Sequence, residues 1–202
     1  MILIDRIVAV IISSVIVLMG FSVQQRAQQT SVGNTLLYVG KKQTLELADM
    51  LERDLANIGF EVAPDQDAIT EFTPGEENLE RLQFFGSDAT GNQIEIRYDL
   101  VVVDTMEMGQ EEVPLYELQR FENNGGVWEA AGGSASTLTR FYIDLLGETN
   151  LSVGKEDARR VKVWLENAVM PEANMGQLME TFRLLRWGAT ITPTNLRDYQ
   201  GG

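Results

Sequence analysis

The first 21 residues, MILIDRIVAVIISSVIVLMGF (1–21), decide the architecture of the chain. Residues 7–21 are apolar except for two serines and one glycine. A helix of about 20 apolar residues spans the roughly 30 Å hydrocarbon core of a bilayer. The stretch therefore predicts a membrane-capable helix, either a plain anchor or a segment that also packs on other copies. A secretory signal peptide is the third alternative. Such a peptide begins with net positive charge and ends in an A-x-A-like cleavage site, whereas this stretch begins with Asp5-Arg6 and no A-x-A pattern follows Phe21.

Asp5 is the residue that a plain anchor leaves unexplained, because a carboxylate in hydrocarbon is costly unless it is paired. Arg6 could neutralise it from the adjacent position while its own charge reaches toward the head groups. Alternatively, Asp5 pairs with the α-amino group of Met1 in a neighbouring copy. In that arrangement the pair fixes the stagger between copies, because any other stagger leaves a charge unpaired in an apolar environment.

The helical pattern continues well beyond the apolar stretch. Leu47, Leu51, Leu55 and Ile58 recur at spacings of four, four and three, which is one stripe of a helix, and Gly59 is placed to end it. A helix from residue 1 to about residue 58 would be roughly 85 Å long at 1.5 Å per residue. A head formed by the remaining residues cannot bury such a helix, so its N-terminal half needs lipid or other copies of itself.

The remainder of the chain has the pattern of β-strands. In QIEIRYDLVVVD (93–104) apolar and polar residues alternate, which predicts a strand with one buried face, and the preceding SDATGN (87–92) predicts a hairpin turn. We predict an α+β fold, with residues 1–58 as the N-terminal helix, 1–23 as its transmembrane or filament-core part, and 59–202 as a head containing an antiparallel sheet. The predicted strands are 68–72, 79–85, 93–104, 115–121, 137–146, 160–165 and 181–192.

The amino-acid composition argues against two classes of function, nucleic-acid binding and enzymatic catalysis. The chain has 30 acidic and 16 basic residues, a formal charge of −14, which repels nucleic acid. It contains no Cys, and therefore no thiolate nucleophile or thiolate metal ligand. It also contains no His, the commonest general base and zinc ligand. We therefore expect no enzymatic activity and no nucleic-acid partner.

Three groups of residues are candidates for sites in the head. The acidic stretch APDQDAITEFTPGEENLE (63–80) offers carboxylates of the kind that bind Ca²⁺, although a solvated loop is the favoured interpretation and no cofactor is expected. GGSAS (132–136) contains two serines, which a linker explains without a nucleophile. The three tryptophans are expected to be packed or half-buried, with carbohydrate stacking as the alternative. The carboxylates are Asp65, Asp67, Glu76 and Glu77; the serines are Ser134 and Ser136; the tryptophans are Trp128, Trp164 and Trp187.

The N-terminus resembles the start of mature type IV pilins and type II secretion pseudopilins, in which an apolar stretch holds one acid at the fifth position. Asp5 stands where that acid is usually Glu. Four further phrases resemble W-type minor pilins and J-type minor pseudopilins in their order along the chain. They are LERDLANIG (51–59), TRFYIDLLGETN (139–150), ARRVKVWLENA (158–168) and TPTNLR (192–197). Residues that the resemblance assigns to assembly are Met1, Asp5, Arg6, Ile7, Val10, Ile11 and Gly20.

The resemblance implies a structural subunit of a type IV pilus-like or type II secretion pseudopilus filament. Such a subunit is held in the inner membrane as a single-pass protein before assembly machinery moves it into a periplasmic or extracellular helical filament. Its partners are copies of itself or other pilin-like subunits, and its α-amine is methylated. Flanking charges do not set the orientation, so the extracytoplasmic placement comes from the resemblance alone. The alternative is a single-pass membrane-anchored extracytoplasmic binding domain that does not polymerise.

Overall fold

One long helix leads into a β-rich head. The computed structural model describes residues 2–63, 65–88, 90–108, 111–135, 137–169 and 183–198, with the backbone alone for residues 2–5, 108, 111, 197 and 198. Helix α1, Ile2–Ala56, runs without a break for 55 residues, or about 82 Å. It ends just short of the predicted Ile58, and Gly59 beyond it has a φ of 82°, which glycine adopts without strain. The predicted long helix is confirmed.

Eight antiparallel strands form the head within the described ranges, which confirms the α+β class. The sheet order is β1-β2-β3-β4-β6-β7-β8, and β5 pairs with β4 alone. A 3₁₀ turn, Lys155–Asp157, precedes β7, and the short helix α2, Asn195–Asp198, follows β8. The strands are β1 Ile69–Pro74, β2 Leu79–Ser87, β3 Gln93–Met108, β4 Glu111–Asn124, β5 Val127–Gly133, β6 Leu138–Leu146, β7 Arg160–Val169 and β8 Arg183–Ile191.

The predicted β2–β3 hairpin is present, and an aspartate holds its turn. The Asp88 carboxylate accepts hydrogen bonds from the backbone amides of Asn92 and Thr90, both at 2.8 Å. Hydrogen bonds from Asn92 and Thr90 lower the pKa of Asp88 to about 2. Beyond the turn, alternation places Ile96 and Tyr98 on the buried face of β3, as the sequence predicts.

Strand β5 is not among the strands predicted from the sequence, because the glycine pairs at 125–126 and 132–133 that begin and end this region are typical of loops. Strand β4 changes partners along one edge: residues 119–124 pair with β5, and Tyr116 pairs with Leu138 of β6. Ser134 fills the gap between them, since its Oγ accepts the Leu118 amide at 2.8 Å and its own amide donates to the Leu118 carbonyl at 2.8 Å. The serine predicted to lie in a linker thus completes the hydrogen bonding of β4.

The core lies between the C-terminal end of α1 and the inner face of the sheet. The predicted stripe of Leu47, Leu51, Leu55 and Ile58 is fully or almost fully buried. It packs with inward residues of β2, β3, β6 and β7. The central members of this cluster are Leu82, Phe84, Ile96, Tyr98, Phe141, Ile143, Val161, Val163 and Leu165. The predicted burial of this stripe is confirmed, because a helix that packs on a sheet buries one face, and the residues of that face recur with the 3.6-residue period of the helix.

Gly40 of α1 lies close against the side chains of β7 and β8. A Cβ at this position would lie 2.6 Å from Cγ2 of Val169 and 3.6 Å from Cδ1 of Leu185. A Cβ at Gly33, about two turns nearer the N-terminus on nearly the same face of the helix, would meet nothing within 4 Å. The two glycines that looked equivalent in the sequence therefore have different roles.

This difference gives a paired prediction. Alanine at either position gains about 1 kcal/mol of helix propensity, but only Gly40→Ala forces the helix off Val169, at a cost of about 1–3 kcal/mol. We expect Gly40→Ala to be less stable than Gly33→Ala by about 1–3 kcal/mol. Urea unfolding of the full chain in non-ionic detergent, followed by tryptophan fluorescence, measures the difference. Equal stabilities would show that α1 does not approach β7 this closely.

Candidate functional site

Residues 7–21 of α1, which we call the rod, form an apolar segment that the head does not cover. The helix described from residue 6 to 56 is long and apolar enough to cross a membrane, and its most apolar 18-residue window has a mean hydropathy of 2.4 with none of it buried. Val10 and Leu18, for example, are 65% and 68% exposed. Each such side chain gains about 1.5–3 kcal/mol when it leaves water. This segment is therefore stable in lipid or against other apolar surfaces, but not in water.

The assembly residues assigned by resemblance all belong to this rod or its tip. Arg6, Ile7, Val10 and Ile11 are exposed around the helix. The helix passes through Gly20 without a break. Asp5 lies in the helical backbone, but its side chain and the whole of Met1 are outside the described residues. Both pairings of Asp5 thus remain predictions.

Several Ser and Thr hydroxyl groups of α1 donate hydrogen bonds to backbone carbonyls of the same helix, three or four residues earlier. Ser14 donates to the Val10 carbonyl and Ser22 to the Met19 carbonyl, each at 2.8 Å. Further along, Thr30 donates to the Arg26 carbonyl at 2.9 Å. A hydroxyl satisfied in this way can enter lipid or a helix–helix contact without an unmet donor. The polar atoms of these residues therefore do not oppose burial of the rod.

A buried ionic cluster fixes α1 to the sheet. Asp54 of α1 accepts hydrogen bonds at Oδ2 from Arg120 Nε of β4 at 2.5 Å and from the Tyr98 hydroxyl of β3 at 2.7 Å. Asp54 and Arg120 are only 2% and 4% exposed. Arg120 also donates to Glu122 at 2.5 Å and to the Ala131 carbonyl of β5 at 3.3 Å. We call Asp54, Tyr98 and Arg120 the Asp54 clamp, since they join the helix to neighbouring strands.

Electrostatics keeps Arg120 charged and the Tyr98 phenol neutral. Burial disfavours the charge of Arg120, but the adjacent Asp54 carboxylate outweighs it and raises the pKa of Arg120 above its ordinary value. Burial, followed by the negative charge of Asp54, raises the pKa of Tyr98 well above its ordinary value, so the phenol stays a donor. The clamp therefore favours the observed placement of α1 on the head, where Asp54 also accepts a hydrogen bond at Oδ1 from Arg53 Nε at 3.1 Å.

A second polar contact lies nearer the rod. Asn167 of β7 donates to Thr44 Oγ1 of α1 at 3.1 Å, and Thr44 donates to the Gly40 carbonyl at 2.8 Å. Both side chains are buried. Together with the clamp, this contact holds the last four turns of α1 on the head at two separate points.

The acidic stretch does not form a metal site among the described residues, where no group of three or more possible ligands was found. Asp67 forms an ion pair with Lys155 at 3.0 Å, and Glu77 with Arg140 at 3.6 Å. Asp65 and Glu76 are exposed. Two of these four carboxylates thus face cations from other parts of the chain, and Ca²⁺ binding by this stretch stays a prediction.

The remaining candidates are structural in the described residues. All three tryptophans are half-buried on strands, which confirms their predicted placement. Arg97 lies over the rings of Phe121 and Trp128, 4.6 and 4.5 Å from their centroids, which is a cation–π arrangement. Ser136 lies outside the described residues.

Sequence reasoning missed the Asp54 clamp, although two signals were present. Asp54 stands between Leu51 and Ile58 on the buried stripe, where an acid needs a partner. Arg120 stands two residues after Leu118 on the inward face of β4. A charge of each sign at an inward position predicts a buried pair.

Comparisons with protein-family models, with curated proteins and with solved structures found no match. The class of the molecule therefore follows from its own geometry. The part of the chain that the structure describes has one membrane-capable helix, which continues without interruption to an α+β head.

Proposed function

We propose that this protein is a structural subunit of a type IV pilus-like or type II secretion pseudopilus filament, held in the inner membrane before assembly. The observation that carries the proposal is the continuity of α1 from its exposed apolar rod to the Asp54 clamp. In a filament, packing of the rods must determine where the heads lie, so rod and head have to move as one body. A plain anchor has no such requirement and tolerates a flexible linker.

Assembly would transfer the rod from lipid to the rods of neighbouring copies or of other pilin-like subunits. Lipid and protein interiors are similarly apolar, so the transfer depends on packing and on specific polar pairs rather than on the hydrophobic effect. Asp5 with the α-amine of Met1 supplies such a pair in this proposal. Residues 7–21 form the filament core, and the acidic head faces the solvent.

Removing the Asp5 carboxylate tests the pairing. Asp5→Ala should lower the amount of subunit in the filament fraction of the host cell by about tenfold or more, because a paired charge in an apolar setting is lost. Asp5→Glu is the matched control and should retain most assembly. Normal assembly of Asp5→Ala, at equal membrane abundance, would contradict the pairing.

The alternative function is a single-pass anchored extracytoplasmic binding domain that does not polymerise. The exposed apolar rod is equally consistent with it. Mass spectrometry of the N-terminal peptide from native cells separates the two. A methylated α-amine on Met1 supports the pilin-like subunit, and an unmodified or formylated initiator methionine supports the anchor.

A further inference from the structure

Strand β3 extends past its neighbour and leaves an open edge. Pairing of β3 with β2 stops at Asp99, opposite Arg81, while pairing with β4 continues to Met108. Among the described residues, no strand lies beside residues 101–107 on the β2 side. Backbone donors and acceptors on such an edge are open to another strand. We call residues 101–107 the β3 edge.

The side chains of this edge suit strand pairing. Val101, Val102 and Val103 are 38%, 57% and 42% exposed. Three consecutive exposed valines are unusual on a surface, and β-branched residues favour strands. A register shift between Val102 and Asp104 bends the strand here, so valines are presented on both faces.

One amide of the edge is satisfied by a side chain. The Thr105 amide donates to Oδ1 of Asp104, its own neighbour, at 2.8 Å. A strand added at this position would offer a carbonyl to that amide in place of the carboxylate. A basic residue on the added strand would pair with the displaced carboxylate, so an incoming cation makes the exchange favourable.

The charge around the edge selects the occupant. Residues 100–119 contain five acidic residues and no Lys or Arg. A second copy would bring the same carboxylates against these and carries the same formal charge of −14. A basic partner strand instead gains attraction along the whole edge.

We propose that the β3 edge binds an extended segment of a partner protein, in which valine-like residues alternate with Lys or Arg, and that this segment adds as a strand beside β3. Backbone hydrogen bonds supply the attachment, and exposed valines supply apolar contact. Asp104 and Glu107 are three residues apart and therefore face opposite sides of the sheet, so whichever face the basic side chains take, one of these two acids meets them. The inference concerns the head alone and holds whether or not the rod forms filaments.

The test uses the full chain in non-ionic detergent micelles and a fluorescent, N-acetylated peptide, KVKVTVKVK. Binding is followed by fluorescence anisotropy, and protection of residues 101–107 by hydrogen exchange. The edge variant is Asp104→Lys with Glu107→Lys. The matched control is Asp49→Lys with Glu52→Lys, two exposed residues of α1, and both variants change the formal charge from −14 to −10.

We expect the peptide to protect residues 101–107 and to bind the edge variant about tenfold or more weakly, with the control within about twofold of the unmodified chain. The peptide EVEVTVEVE should show the reverse preference. Equal weakening of peptide binding in both variants would show that only the net charge of the protein matters, which would overturn the proposal. Peptide binding without protection of the edge, or no peptide binding at all, would also overturn it. Protection that rises with protein concentration without peptide would assign the edge to a second copy instead. If the edge variant fails to fold by tryptophan fluorescence, Asp104→Asn with Glu107→Gln replaces it.

Discussion

Replacing Asp54 by alanine is expected to lower the free energy of unfolding of the head by about 3–5 kcal/mol. The substitution leaves Arg120, which is 4% exposed, as a buried cation with Glu122 as its remaining carboxylate partner, and it removes the acceptor of the Tyr98 hydroxyl. Losing one member of a buried pair costs more than the pair contributes, because the remaining charge stays desolvated. Urea unfolding in detergent, with the tryptophans of the head as reporters, measures the loss.

Three further variants identify the origin of that loss. Asp49→Ala removes an exposed acid of the same helix and should change stability by less than about 0.5 kcal/mol. Tyr98→Phe removes one hydrogen bond and should cost about 1–2 kcal/mol. Asp54→Leu combined with Arg120→Met should recover much of the loss, because apolar pairs can replace buried ion pairs. A loss below about 1 kcal/mol for Asp54→Ala would show that the clamp is not formed as described.

The second large effect is expected at Gly133, where β5 returns to β6. Its φ is 147°, and a Cβ there would lie only 2.1 Å from the carbonyl oxygen of Leu118. That oxygen belongs to the backbone and accepts the Ser134 amide, so it cannot move away cheaply. Strain and overpacking together should make Gly133→Ala less stable by about 2–5 kcal/mol in the same urea assay.

Gly126 in the β4–β5 turn provides the control. It also has a positive φ, 94°, but a Cβ there would meet nothing within 4 Å. Gly126→Ala should therefore cost about 1–2 kcal/mol from strain alone. Equal losses at the two glycines would contradict the close contact between Gly133 and β4.

Patterns with a fixed period could be predicted from the sequence. The stripe from Leu47 to Ile58 and the alternation around Ile96 and Tyr98 both follow from burying one face of a regular element. The exposed rod could also be predicted from the sequence. Residues 7–21 are apolar on every side of the helix, so the head cannot cover them by burying a single face.

Features that depend on contacts distant in sequence could not be predicted in this way. Asp54 and Arg120 are 66 residues apart, so their pairing requires the sheet order. Helix propensity alone disfavours Gly40 within a helix, whereas the structure shows that its missing side chain makes room for Val169. Strand β5 was hidden because its flanking glycine pairs have the composition of a loop, although pairing with β4 makes it a strand.

The acidic stretch, residues 63–80, also has contacts that its local sequence does not predict. Its carboxylates are close in sequence, but Lys155 and Arg140 reach Asp67 and Glu77 from distant elements. Local density of carboxylates offers Ca²⁺ binding only as the less favoured alternative to a solvated loop, and the ion pairs of Asp67 and Glu77 cannot be deduced from it.

Disulfide trapping in native cells tests most directly whether the exposed rod packs on neighbouring copies. The chain has no cysteine of its own, so every disulfide between its copies involves the introduced cysteines. Ile7 and Ile16 are 51% and 63% exposed, and at about 100° per residue their nine-residue separation places them on opposite faces of the helix. The variant Ile7→Cys with Ile16→Cys should give an oxidised ladder of dimers, trimers and larger species, while each single variant stops at dimers. A double variant that yields only monomers and dimers, at the same abundance, would contradict assembly through the rod.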